Sequence, residues 1–73
     1  MILIITKTQA EKLLSGDYTF SQLGFSMLIT RLKGNYAKDS SQGSLQKCVD
    51  EINFFLSKYS AIITSDISII AKL

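Results

Sequence analysis

Cys48 is the one residue in this sequence with the chemistry of a strong nucleophile. A thiol acts that way only as thiolate, beside a base or in positive surroundings. The 73 residues include no histidine, the group that most often moves a proton near neutral pH. Lys47 is next in sequence, yet on a helix it points about 100° away around the axis. Cys48 falls instead among apolar positions at helical spacing, where cysteine behaves as a small hydrophobe. Carboxylate chemistry would need two acids converging in an apolar cleft. Asp50 and Glu51 diverge as helix neighbours, while Glu11, Asp17, Asp39 and Asp66 fall at predicted caps or turns. No acidic run has the alternating spacing of a calcium loop. A single cysteine builds neither an internal disulfide nor a thiolate cluster. The glycines at 16, 24, 34 and 43 match neither the Walker nor the dinucleotide pattern. This inventory predicts a non-enzyme with no catalytic residue, no metal and no cofactor.

Charge constrains a second class of function. Eight Lys and Arg against six Asp and Glu leave a formal charge of +2, scattered along the chain as ordinary solubility charge. A nucleic-acid binder of this size more usually carries a basic stripe or arm, because affinity comes largely from neutralising phosphates. One fragment points the other way. Gln22, Leu23, Gly24, Phe25 and Ser26, followed by Thr30, Arg31 and Leu32, resemble the turn and recognition helix of helix-turn-helix regulators over about a dozen residues. Phe20 stands where that family usually has alanine, and Met27, Leu28 and Ile29 stand where polar base-reading side chains belong. The resemblance implies an alternative function, a small DNA-binding accessory or regulatory protein touching nucleic acid through Arg31, Lys33 and Lys38.

The elements that must position these residues are predicted to be helices within one domain, 1–73. Thr8 with Glu11 reads as a capping box for a first helix from about Gln9 to Ser15, ended by Gly16. Ala10, Leu13 and Leu14 make its buried side. Thr19 with Gln22 reads as the start of a second helix, about Phe20 to Lys33, ended by Gly34. Phe25, Leu28, Ile29, Leu32 and Tyr36 form its main stripe, and Phe20, Leu23 and Met27 a second apolar line beside it. Gly24 sits inside that helix at a cost of ~1 kcal/mol relative to alanine, which predicts close approach of another helix. Residues 35–42 read as a polar surface loop, with Asp39, Ser41 or Ser44 as alternative starts for a third helix. That helix is the clearest: Leu45, Cys48, Val49, Ile52, Leu56 and Tyr59 share one face, Phe55 lies at its edge, and Phe54 interrupts the polar side. The last segment is rich in β-branched residues that favour strands, yet Ile63, Ile67, Ile70 and Ala71 also fit a helix face, with Ser65 or Asp66 as its cap. The fold class predicted is therefore all-α, a small three- to four-helix bundle. The alternative is α+β, three helices with the N- and C-terminal segments paired as a two-stranded sheet.

A chain this short buries only ~60% of the surface its unfolded form exposes, while 47% of its residues are hydrophobic. The apolar supply exceeds what a small bundle covers, and such chains often self-associate. Ile2, Ile4, Ile69, Ile70 and Leu73 are the candidate interface, and the tyrosines at 18, 36 and 59 are rim packing. The function predicted is a non-catalytic protein–protein interaction module, its partner another protein or a second copy in a homodimer. No small-molecule substrate is evident. The apolar run 1–5 lacks the basic leader of a signal peptide, and 61–73 is shorter than the ~20 residues of a membrane span. A cytoplasmic location without membrane attachment is the expectation, and the lysine- and isoleucine-heavy composition suits an A+T-rich bacterial or phage genome.

Overall fold

A computed structural model describes residues 5–59 and 64–73. Four α-helices follow in order, α1 Lys7–Ser15, α2 Leu23–Lys38, α3 Gln42–Tyr59 and α4 Thr64–Ala71. Helices α1, α2 and α3 pack against one another. Among the described residues there is no strand, so the fold is the all-α bundle. The C-terminal half of the alternative sheet is helix α4. Ile2, Ile4 and Ala61 to Ile63 lie outside the described residues.

Helix α1 and its cap both lie two residues earlier than predicted. Thr6, not Thr8, is the N-cap: its hydroxyl accepts from the Gln9 amide at 3.2 Å, and the Gln9 side chain accepts from the Thr6 amide at 2.9 Å. The run Thr6, Lys7, Thr8, Gln9 fits the same capping pattern as Thr8 to Glu11. Tertiary anchoring decides between them. Ile5, fully buried, donates its amide to Asn53 Oδ1 at 2.8 Å and accepts from Asn53 Nδ2 at 3.2 Å. The Asn53 amide thus stands in for a neighbouring backbone unit and fixes the chain just ahead of Thr6. Gly16 ends α1 as expected, but in extended conformation rather than a left-handed turn. A Cβ there would collide with the Tyr18 ring and the Lys12 carbonyl, so glycine serves close approach.

Helix α2 differs from its prediction at both ends. Thr19 does not cap it, and Phe20 precedes it, buried and packed edge-on against Phe25 with ring centroids 4.8 Å apart. Gln22 is the N-cap, its side chain accepting from the Gly24 amide at 2.6 Å. Gly34 does not end the helix, which runs on to Lys38 and is capped by Asp39. Half-buried Tyr36 packs on the core one half-turn after Gly34, and that packing outweighs the ~1 kcal/mol glycine cost.

Helix α3 carries the predicted face. Leu45, Cys48, Val49, Ile52 and Leu56 are buried, while Tyr59 is on the rim. Asn53, expected on the polar side, is buried against Ile5. Ser41 caps α3, accepting from the Ser44 amide at 3.2 Å through its hydroxyl. Helix α4 contributes Ile70 to the core and carries Asp66, also buried. Predicted to cap its own helix, Asp66 reaches instead to the start of α2. Its Oδ1 accepts from the Ser21 amide at 2.9 Å and the Ser21 hydroxyl at 3.1 Å, and its Oδ2 accepts from the Gln22 amide at 3.2 Å.

Candidate functional site

Cys48 is 2% exposed. Burial raises its pKa, reinforced by Glu51 and opposed by Arg31, so the thiol stays protonated at neutral pH and packs as a core residue. Among the described residues no three His, Cys, Asp or Glu side chains are grouped to hold a metal, and no helix is long and apolar enough to cross a membrane.

Two of the three positions assigned to nucleic acid, Arg31 and Lys33, are used within the fold. Arg31 Nη2 donates to Glu51 Oε1 at 2.8 Å, joining α2 to α3. Lys33 Nζ donates to the Gly16 carbonyl at 2.8 Å, tying α2 to the end of α1. Lys38 lies exposed in the last turn of α2. The segment that resembles a helix-turn-helix contains no turn at Gly24, because α2 is continuous from Leu23.

Three of the predicted interface residues, Ile69, Ile70 and Leu73, fall within the described residues. Ile70 is 1% exposed and belongs to the core, while Ile69 and Leu73 are half-buried and packed against it. The chain itself covers Ile70, and covers Ile69 and Leu73 in part. Ile2 and Ile4 fall outside the described residues.

Among the described residues the most exposed large apolar side chains lie elsewhere, on α2 and α3. Leu23 is 72% exposed, Met27 63% and Phe54 61%. Leu23 and Met27, one helical turn apart, project away from the side that buries Phe25, Ile29 and Leu32. Phe54 projects from α3 opposite Leu45, Ile52 and Leu56. Between the helices Leu28, Asp50, Glu51, Phe54 and Phe55 line an open groove of about 380 Å³. Its floor is held by aromatic contacts: Phe55 lies 5.4 Å from core Phe25 and 4.8 Å from Tyr59, centroid to centroid. Gly24 sits under Phe55, where a Cβ would meet the ring at 3.6 Å. That is an ordinary contact rather than the predicted close approach, and the tighter neighbour of such a Cβ is the Gln22 side-chain oxygen at 3.1 Å.

Charged groups border the apolar centre asymmetrically. Asp50 lies one turn before Phe54 and accepts from Gln46 Nε2 at 2.9 Å. Lys58 lies one turn after it, with Nζ 5.9 Å from the Phe54 ring centroid and 5.5 Å from that of Tyr59. At such distances the ring faces attract the ammonium. The Arg31–Glu51 pair spans the two helices at the groove's edge.

Sequence reasoning singled out neither Phe54 nor the outward aim of Leu23 and Met27. Phe54 was visible as one apolar residue on a polar helix face. Leu23 and Met27 read as a second buried line, and only the side on which α1 and α3 pack shows that they face out. No family model matches the chain, and no curated protein or solved structure matches it.

Proposed function

We propose that this chain is a non-catalytic protein–protein interaction module whose contact face is the outer surface of α2 and α3. The observation that carries the reading is the exposure of Phe54 at a groove whose other apolar walls are Leu28 and Phe55, with Leu23 and Met27 also exposed on α2. Burying a large apolar side chain fully is worth roughly 1.5–3 kcal/mol, and contiguous exposed apolar patches mark contact sites. An aromatic residue at the centre with charges at the rim matches the anatomy of a protein interface. Engagement of Arg31 and Lys33 within the fold favours this reading over phosphate binding, which needs free cations.

The test is a comparison of wild type with Leu23→Ser/Phe54→Ser, both nuclease-treated and offered host lysate and a tagged second copy of the chain. Wild type is expected to retain a protein that the variant loses, with thermal unfolding unchanged because both side chains are exposed. Equal retention by the two proteins, or none by either, would overturn the proposal.

A further inference from the structure

The charge pattern around Phe54 identifies the partner of this face, an inference that rests on the interaction module proposed above. Asp50, Phe54 and Lys58 occupy i, i+4 and i+8 of α3, one turn apart along the same side. The order is acid, aromatic, base. Rotation by 180° about an axis through Phe54 reverses the helix and sets each acid against a base. A two-fold interface places the same patch on both subunits, so that residue i meets j and j meets i. We infer that two copies of this chain pair through antiparallel α3 helices about Phe54, Asp50 of each facing the partner's Lys58.

Three further observations agree with that arrangement. First, among the described residues the ion pair within the chain is Arg31 with Glu51, so Asp50 and Lys58 both keep their charges for the partner. Lys58 is already held over the Phe54 ring, which limits the side-chain entropy lost on pairing. Second, the same rotation brings Glu51, paired with Arg31, opposite the partner's Ser57, so the acid next to Asp50 does not meet another acid there. Third, the groove suits the aromatic residue that the symmetry delivers. A closed apolar cavity of ~150 Å³ accepts a benzene ring, and the open groove beside Phe54 measures about 380 Å³. The partner's Phe54 packs beside Phe54 at the mouth of this groove, next to Leu28 and Phe55.

The available area is also of the required size. A standard interface takes ~800 Å² from each subunit, roughly a sixth of the 4573 Å² accessible surface of this chain. One broad side of a molecule with principal extents of 31 × 25 × 20 Å supplies an area of that order.

Charge reversal tests the register directly. Sedimentation across a concentration series is expected to show a dimer for wild type. Asp50→Lys sets lysine against the partner's Lys58 at two equivalent places, and Lys58→Asp sets acid against acid. Each alone is expected to weaken dimerisation about tenfold or more. Mixing the two variants restores opposite charges at both places, as does D50K/K58D in one chain, and both are expected to recover the dimer. Phe54→Ser is expected to leave a folded monomer, checked by circular dichroism. A wild type that stays monomeric overturns the dimer, and retention of a different protein lost in Leu23→Ser/Phe54→Ser would then still uphold the interaction module. A dimer indifferent to Phe54→Ser overturns the use of this face. A dimer that needs Phe54 but ignores both reversals, or is not rescued by mixing, overturns the antiparallel register.

Discussion

Asp66, in the first turn of α4, braces the N-cap of α2 across 44 residues of sequence by accepting from the Gln22 backbone amide. Its carboxylate is 1% exposed. A buried charge is costly unless paired and hydrogen-bonded, and here three donors from Ser21 and Gln22 surround it. The positive ends of two helix dipoles, those of α2 and α4, converge on the same group. Gln22 is a poor N-cap by type. The start of α2 is therefore set by a residue of α4.

Removing that carboxylate is expected to loosen both helix ends. Hydrogen bonds to charged groups contribute ~1.5–3 kcal/mol, and amides left buried without a partner cost ~1–3 kcal/mol. Asp66→Ala is expected to lower stability by about 3 kcal/mol in urea denaturation, a large share of the roughly 4–11 kcal/mol typical of a chain this size. Ser21→Ala, which removes only the hydroxyl contact, is expected to cost ~1 kcal/mol. Loss within ~0.5 kcal/mol for Asp66→Ala, as for an ordinary surface change, would show that the bracing is unimportant.

The contrast between Asp66 and Leu45 explains how much of the fold was legible in the sequence. Leu45, Cys48, Val49, Ile52 and Leu56 bury where helical spacing places them, because periodicity records which side of one helix is apolar. Asp66 and Asn53 are polar by type, and their burial depends on amides 45 and 48 residues away. No local pattern carries that information. The same limit applies to the candidate site. Leu23 and Met27 have the right spacing for a core line, but α1 and α3 cover the other side of α2 and leave them exposed. Ile69, Ile70 and Leu73 show the converse, an apolar run that the bundle does absorb.

Gly34 offers a test of the corrected boundary of α2. It lies inside Leu23–Lys38, its φ is not positive, and a Cβ there would meet no neighbouring heavy atom within 4 Å. Alanine at such a position gains helix propensity and reduces the entropy of the unfolded chain. Gly34→Ala is expected to stabilise the protein by about 0.5–1 kcal/mol in the same denaturation experiment. Were Gly34 a left-handed terminator, as its position after Lys33 suggests, alanine would destabilise instead.

The junction between α2 and α3 carries the clearest pH dependence. Asp39 caps the end of α2, and its carboxylate accepts from the Ser41 backbone amide at 3.1 Å, with the Ser41 side chain close enough to favour the ionised form as well. The Ser41 side chain and amide, with a smaller contribution from Lys47, hold its pKa below the ordinary aspartate value against the opposing effect of desolvation. Ser41 Oγ accepts from the Ser44 amide at the start of α3, so Ser41 joins the two helix ends. The ionised form of Asp39 is the one the folded state favours. Its contribution to stability is fully present above the unfolded aspartate pKa of ~3.9 and is lost as pH falls through the lower folded value. An NMR titration is expected to place the Asp39 midpoint below the usual aspartate range, and Ser41→Ala to move it back up. The stability difference between wild type and Asp39→Asn is expected to be small at neutral pH, because the group is exposed, and to shrink on acidification. A difference that grows as pH falls would mean that the folded state favours the protonated acid and that the Ser41 contacts do not hold the junction.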